Sequence, residues 1–191
     1  MTNNTNGSAS HNGNGSASKM SGAQDGKSMA ENYKKIDSLI KDIKAAMMAT
    51  MDDDGTHRSR PMWTIGREFD GKIYFFIHSA KTYEVRKHPS VNLSYADPSG
   101  QNYVSITGTC KVITDRGLIR ELFKPMHKTW YPDGPDDANL CALEITADFA
   151  EYWDSPGGMI PVMIGMAKAL ITGKPHQHEE SENEKVNFSK N

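Results

Sequence analysis

The sequence has no long hydrophobic run, and its N-terminus lacks the apolar core of a secretion signal. No apolar stretch approaches the roughly 20 residues that a membrane-spanning helix needs. These two absences predict a cytoplasmic protein with no segment inserted in a membrane.

The chain also lacks an excess of basic residues, because 22 Lys and Arg face 24 Asp and Glu, giving a net charge of −2. Proteins that bind nucleic acids usually carry a basic surface. The charge balance therefore argues against a nucleic-acid partner.

Cysteine is scarce, and the two cysteines are Cys110 and Cys141. Two are too few for a disulfide framework, and both lie in stretches predicted as strands, so we expect them to be buried and reduced. Common catalytic and phosphate-binding motifs are absent too: there is no GxGxxG, GxSxG, HExxH or CxxC pattern, and no phosphate-binding loop that ends in Gly-Lys-Ser/Thr. We therefore predict no metal site, and we look for chemistry among polar residues at strand ends.

Composition divides the chain into three regions. Residues 1–27 are mostly Asn, Gly, Ser and Ala, with no aromatic residue and no Val, Ile or Leu. Such a segment buries too little apolar surface to offset the entropy of ordering, so we predict disorder there. The polar tail at residues 174–191 is predicted to be disordered as well. The folded unit is then residues 28–173, which is long enough for one domain.

Helix and strand patterns within this unit predict a mainly β fold. Ser28 and Glu31 fit a capping box at the start of an amphipathic helix over residues 28–43. Asp115 is predicted to cap a later helix that bends at Pro125. About six strands with hairpin turns and peripheral helices predict a six-stranded antiparallel barrel rather than an alternating βαβ sheet. A closing helix is predicted at residues 161–171.

The first polar cluster is "HRSRPM", in which Arg58 and Arg60 are two residues apart. On a strand, two such side chains point to the same face. Neighbouring guanidinium groups repel each other unless they are solvated or share an anion, and arginine is well suited to holding phosphate. The pair indicates either a charged edge strand or a phosphate site.

The second cluster lies in "FFIHSAKTYEVRKHP", where a buried strand passes into an amphipathic stretch that ends at Pro89. Ser79 is predicted to cap the helix, whose start attracts anions. Lys81, in the first turn, is unfavourably placed relative to the helix dipole unless an anion sits there. Ordinary capping and an anion site both fit this stretch alone. Together with the two arginines, it favours a phosphate site.

Flat or apolar residues surround the two clusters on short strands, and these are Pro61, Met62, Trp63, Phe76, Ile77 and Tyr103. A phosphorylated aromatic ring would stack on such a surface, while strand backbone groups would bond to its edge. Flavin mononucleotide (FMN) has this anatomy.

The sequence resembles the pyridoxamine 5'-phosphate oxidase-like flavoproteins, and most closely their general stress protein 26 branch. The resemblance rests on five stretches in order over about residues 32–172: "RSRPM", "YFFIHSAKTYEVRKHPSVNLSYAD", "YVSITGTCKVITDR", "WYPDGPDD" and "AEYWDSPGG". It implies a split β-barrel that forms a homodimer and binds FMN, or FAD or a deazaflavin in its place, in clefts between the subunits.

The resemblance also implies roles for individual residues. Arg58, Arg60, Ser79 and Lys81 match phosphate contacts, and Thr82 follows them in the same turn. Met62 and Trp63 would lie along the isoalloxazine ring, with Ile77 and His78 bordering it and Gln101 or Tyr103 approaching it. Trp130 or Trp153 would close the cleft from the partner subunit. At Ile77 related proteins often carry Thr, so a side-chain hydroxyl to the flavin is lost here.

Three functions are compatible with the sequence. The first is an FMN-dependent oxidoreductase acting on an unidentified small molecule, with His78 as the candidate acid or base because its charge changes near neutral pH. The second is a non-catalytic flavin-binding stress or sensor protein, which would explain why no catalytic group stands out. The third is a small barrel that binds single-stranded nucleic acid, with Trp63, Phe76 and Tyr103 as stacking platforms. The charge balance counts against the third.

Overall fold

The computed structural model describes residues 27–154 and 182–189. The chain enters through helix α1 (Met29–Ile40), which begins with the predicted capping box: the Ser28 hydroxyl accepts from the Glu31 N–H, and the Glu31 carboxylate accepts from the Ser28 N–H. The tail at residues 1–26 and the closing helix predicted at residues 161–171 lie outside the described residues.

Seven antiparallel strands follow, with two further short helices. Their bounds are β1 (Ala45–Met51), β2 (His57–Trp63), β3 (Lys72–His78), α2 (Tyr83–Lys87), β4 (Ser90–Asp97), β5 (Asn102–Ile113), α3 (Arg116–Leu122), β6 (Leu140–Asp154) and β7 (Glu182–Asn187). Turn residues explain the hairpin between β1 and β2, where Gly55 takes a φ of +82° that other residues rarely adopt.

Six of these strands form the predicted split barrel, in the order β2-β1-β4-β5-β6-β3. The two ends of this sheet meet where Thr64, just after β2, pairs with Phe75 of β3. The seventh strand, β7, pairs with the second half of β6, whereas β3 pairs with the first half. The fold is therefore a six-stranded split barrel with one added strand. No helix of the described residues is long and apolar enough to cross a membrane.

The barrel interior holds the larger of two apolar clusters, and α1 covers it with Ile36, Leu39 and Ile40. A second cluster lies outside the barrel, where Tyr74 and Phe76 of β3 pack against Ile119 and Leu122 of α3. Strand β3 is thus buried on both faces, which explains its nearly continuous apolar sequence. Cys110 and Cys141 are buried and unpaired, as expected.

The C-terminal tail departs from the prediction of disorder. Residues Glu182–Asn187 form β7, and the side chains of Val186 and Phe188 are buried. Phe188 stacks on Tyr33 of α1 at a ring-centroid distance of 5.4 Å. The strand is polar on average because only alternate residues turn inward. Its pairing with the edge of β6 holds it in place.

Two predicted helices are also wrong in detail. Ser79 caps no helix, because residues Ser79–Lys81 form a 3-10 turn and α2 begins four residues later, at Tyr83. The helix after Asp115 is capped by that residue but is not bent, since it ends at Leu122 and a separate 3-10 turn begins at Pro125. Proline disfavours helical conformation in the residue before it, and Lys124 is extended.

Candidate functional site

Arg60 is held against the start of α2. Its guanidinium bonds to the Glu84 carboxylate and, at 3.2 Å, to the Thr50 hydroxyl, which itself donates to Glu84 at 3.0 Å. Thr50 is buried, and Arg60 and Glu84 are each about a quarter exposed. Because Glu84 is only three residues after Lys81 along the chain, these bonds hold Arg60 at the helix that follows the Ser79–Lys81 turn. We call Arg60, Ser79 and Lys81 the basic corner.

The 3-10 turn that carries Ser79 and Lys81 is fixed from both sides. The Ser79 N–H donates to the Asn139 carbonyl at 2.8 Å, and the Ser79 carbonyl accepts from the Thr82 hydroxyl at 2.8 Å. Thr82 is buried, and its hydroxyl also accepts from Arg86 Nε at 3.0 Å. The Thr82 side chain is therefore used by the fold, while the side chains of Ser79 and Lys81 are exposed.

Arg58 shares a face of β2 with Arg60, as predicted, but lies at the outer end of the strand. Its side chain is 63% exposed and pairs with Asp52 in the hairpin between β1 and β2. Of the two arginines, it is thus Arg60 that the fold brings to α2.

Trp63 and Trp130 form an exposed aromatic pair at the other end of β2. Their ring centroids are 5.3 Å apart, and both side chains are more than 40% exposed. Pro61 lies on the same outer face as Trp63, whereas the Met62 side chain points into the barrel core. Trp130, which with Trp153 is one of the two residues predicted to close a cleft from a partner subunit, packs on Trp63 within its own chain.

The end of β3 places its three predicted residues differently. Phe76 is buried against the rings of His127 and Tyr131, and Ile77 is buried in the barrel core. Neither side chain forms an open surface, so Phe76 cannot be a stacking platform for bases, and any contact from Ile77 to a ligand would use its backbone. His78 is exposed and packs on Tyr131 at a centroid distance of 5.2 Å.

The remaining predicted residues lie on the outer face of β5 and β6. Tyr103 is 41% exposed and opposite Trp153 in the register, and Gln101, with a φ of +55°, precedes them in the turn after β4. Strands β1 and β4 separate β5 from β2, so Tyr103 and Trp63 lie about 14 Å apart at the usual strand spacing. Within one chain these groups do not meet.

Three site residues were missed by sequence reasoning: Thr50, Glu84 and Tyr131. Residues of β1 alternate between exposed and buried, and Thr50 is a polar residue at one of the buried positions. A polar residue at an inward position of a predicted strand is a signal that the sequence contains. Burial raises the pKa of the Tyr131 hydroxyl, and the ring of Tyr131 packs on that of His78. No sequence signal joins Glu84 to Arg60, because the two are 24 residues apart on different elements.

The sequence profile of the family described as pyridoxamine 5'-phosphate oxidase like matches residues 31–177. This span holds every strand of the barrel and the basic corner. The chain belongs to this family. A curated relative is the protein bli-3 of Neurospora crassa, which is 25% identical over an alignment of 152 residues; the match covers 73% of this chain and 73% of that one.

Solved structures of family members have the same fold. A general stress protein 26 from Jannaschia sp. CCS1 is 23% identical, with a TM-score of 0.67 over 84% of this chain and all of that one. A general stress FMN/FAD binding protein from Xanthomonas citri is 26% identical, with a TM-score of 0.56 over 65% of this chain and 89% of that one. The chain thus shares its split barrel with general stress proteins of the pyridoxamine 5'-phosphate oxidase-like family.

Proposed function

We propose that this protein binds FMN and uses it for redox chemistry on a small molecule. The phosphate would lie in the basic corner and the ring along the backbone of Met62 and Trp63, with FAD or a deazaflavin as the alternative cofactors. The description of the Xanthomonas citri relative as an FMN/FAD binding protein supports this proposal. The cytoplasmic location expected from the sequence is part of the same proposal.

The observation that carries the proposal is the position of Arg60. Its bonds to Glu84 and Thr50 fix one end of the guanidinium, and arginine has five N–H donors, so donors remain for a phosphate. The exposed side chains of Ser79 and Lys81 add a hydroxyl and a second positive charge. A cation and a hydroxyl on one turn, with a bidentate donor from β2, are a donor set that fits a phosphate group.

A bound flavin would supply the electron chemistry, and the residues of this chain would bind and orient it. Arg60 and Lys81 would neutralise the phosphate, and the exposed Trp63–Trp130 pair would offer a flat surface to the ring. His78, positioned by the Tyr131 ring, remains our candidate for moving a proton.

We also propose that the protein is a homodimer, with the flavin between the subunits. The outer face of β1 and β4 is exposed and made of small or apolar residues, Ala45, Met47, Ser94 and Ala96. A flat surface of this kind suits a second copy. A partner would also bring a second Tyr103 and Trp153 to a cleft that one chain leaves incomplete.

The first test is the cofactor content of the purified protein. We expect a yellow protein whose flavin is released on denaturation and runs as FMN in chromatography. A colourless protein that takes up no FMN, FAD or deazaflavin on incubation would reject the proposal.

A second test separates an enzyme from a non-catalytic flavin protein. With flavin bound, we expect steady oxidation of a reduced nicotinamide, or oxygen consumption in its presence, and a several-fold lower rate for His78→Gln. A flavin-loaded protein that turns over no donor would instead support the stress or sensor function.

A further inference from the structure

A cavity formed by the described residues does not include the basic corner. It has a volume of about 620 Å³ and lies between the C-terminal end of α1, the connection from β2 to β3, and the 3-10 turn Pro125–Thr129. Of the residues predicted for the flavin site, it contains Trp63 alone. Its volume is in the range of small-molecule sites.

The walls of this cavity combine an apolar floor with a basic rim. The floor includes the buried side chains of Ile40, Ile65, Phe69 and Ile73. The lining has five basic residues and two acidic ones, although the whole chain is slightly acidic.

Some of these positive charges have partners, and others do not. Lys72 pairs with Glu144 at 3.1 Å, and Arg67 lies 3.8 Å from both Asp70 and Glu121. Among the residues described, Lys41 and Lys44 have no acidic partner, and Lys124 Nζ bonds to a neutral group, the Gly66 carbonyl, at 3.0 Å. Three lysines of the basic rim, Lys41, Lys44 and Lys124, therefore carry positive charges that no carboxylate of the described residues pairs with.

His127 gives the cavity a directed hydrogen-bond donor. Its side chain is 4% exposed, packed edge-on against Phe76 at 5.1 Å, and its Nδ1 accepts from the Lys124 N–H at 2.8 Å. Burial, and then the charge of Lys124, lowers the pKa of His127, so the ring is neutral at pH 7. With Nδ1 as acceptor, the remaining proton lies on Nε2.

The Nε2–H group has no partner within the described part of the chain, yet that part contains no fully buried side-chain nitrogen or oxygen without a hydrogen bond. Nε2 must therefore reach open space, and the open space that His127 lines is this cavity. An otherwise buried donor directed into a cavity is a feature that recognises an acceptor on a ligand.

We propose that this cavity binds a small organic anion with a flat apolar body, of the aromatic carboxylate class. The carboxylate accepts from His127 Nε2–H and lies near Lys41, Lys44 and Lys124, and the ring packs on the apolar floor beside Trp63. This site is separate from the basic corner, and binding there does not require a flavin.

The test uses anthranilate, a fluorescent aromatic carboxylate, and its neutral analogue 2-aminobenzamide. Binding to the full-length protein is followed by fluorescence anisotropy. We expect anthranilate to bind at least fivefold more tightly than the amide, because the amide lacks the charge. Equal affinities would overturn the proposal.

Two sets of variants locate the site. Lys41→Gln with Lys44→Gln is expected to weaken anthranilate binding about fivefold, whereas Lys34→Gln with Lys185→Gln, the same charge change away from the cavity, leaves it unchanged. His127→Asn keeps an acceptor for the Lys124 N–H but deletes the Nε2 donor, and is expected to cost at least fivefold. His127→Gln places an amide N–H near the Nε2 position and recovers part of the loss.

Wild-type affinity in both K41Q/K44Q and H127N would overturn the assignment, as long as thermal unfolding shows that each variant is folded. Arg60→Ala with Lys81→Ala is expected to keep anthranilate binding. Loss of binding in that variant would mean that anthranilate occupies the basic corner, which would also overturn the cavity site. A failure of flavin binding leaves these outcomes unaffected.

Discussion

At the scale of single residues, Glu84 both positions Arg60 and places a negative charge beside the proposed phosphate. Its carboxylate fixes the guanidinium against α2. Two like charges about 7 Å apart repel by roughly 0.6 kcal/mol in water and by roughly 2.4 kcal/mol at the effective dielectric constant of a protein surface. Glu84 therefore contributes orientation and opposes the ligand's charge at the same time.

Replacing Glu84 with Gln separates the two effects. The amide oxygen still accepts from Arg60, and the negative charge is gone, so we expect FMN to bind about fivefold more tightly at low salt. Fluorescence quenching of FMN during titration measures this. Glu84→Ala, which also removes the positioning bond, serves as the comparison and should not show the gain. Weaker binding by the Gln variant would contradict a phosphate beside Arg60.

At the scale of elements, β7 and Phe188, the residue that follows it, hold the C-terminal segment against α1. Phe188 is buried between Tyr33 and Phe69, with ring-centroid distances of 5.4 and 5.8 Å. We expect Phe188→Ala to lower the free energy of unfolding by about 3 kcal/mol, because a large buried ring is removed. Urea unfolding measures the change, with the exposed Ser189→Ala as control. A loss below about 0.5 kcal/mol would mean that the strand is not docked in solution.

The same element gives a pH dependence through Glu184. Burial raises the pKa of this carboxyl, but the bonds from Lys27, at 2.6 Å, and from the Tyr152 hydroxyl outweigh it and hold the pKa below the ordinary value. A lowered folded-state pKa means that the carboxylate stabilises the fold above the ordinary Glu pKa of about 4.3. This contribution is lost as the pH falls below that value.

Glu184→Gln should therefore flatten the fall in stability between about pH 5 and pH 3. Urea unfolding at several pH values compares the slope with that of wild type. Glu121→Gln, a change on the exposed side of α3, is the control and should keep the wild-type slope. Parallel curves for E184Q and wild type would contradict the assigned role of the carboxylate.

At the scale of the whole molecule, the outer sheet face predicts the state of assembly. Met47 lies on this face, 44% exposed, between Pro61 and Ser94 in the register. We expect the wild-type protein to sediment at twice its chain mass of 21.2 kDa. Met47→Glu should shift it to the monomer, because a charge would then be buried in the interface.

The control is Met29→Glu, the same substitution at a similarly exposed methionine of α1. It should leave the dimer intact. A monomeric wild-type protein would contradict the dimer. An M47E protein that remains dimeric would show that the interface does not include this face.

The features of the fold that the sequence predicted are those set by interactions between residues close together in the chain. The Ser28–Glu31 capping box, the Asp115 cap and the alternation along β5 are short-range patterns, and each is present in the fold. The order of β7 was not predictable, since it depends on an open edge of β6 and on Tyr33, more than 100 residues away. The bond from Arg60 to Glu84 was not predictable for the same reason, because it joins residues that are distant in the sequence.

The candidate site was predicted in the same uneven way. Sequence reasoning placed Arg58, Arg60, Ser79 and Lys81 together. In the fold, Arg60 bonds to Glu84, three residues beyond Lys81, whereas Arg58 pairs with Asp52 in the hairpin between β1 and β2. The sequence could not show that Ile77 points into the barrel. Apolar residues occupy both faces of β3, so no alternation of polar and apolar residues distinguishes inward from outward positions. Nor could the sequence show the cavity around His127, which three separate elements form.

Titration of FMN into the variant with both Arg60→Ala and Lys81→Ala tests the central claim most directly. Arg120→Ala with Lys34→Ala removes one arginine and one lysine from exposed positions of α3 and α1, and is the matched control. We predict that the first variant keeps the wild-type unfolding transition but binds FMN at least 100-fold more weakly, while the control binds it as wild type does. Wild-type affinity for FMN in the folded R60A/K81A protein would contradict the basic corner as the phosphate site.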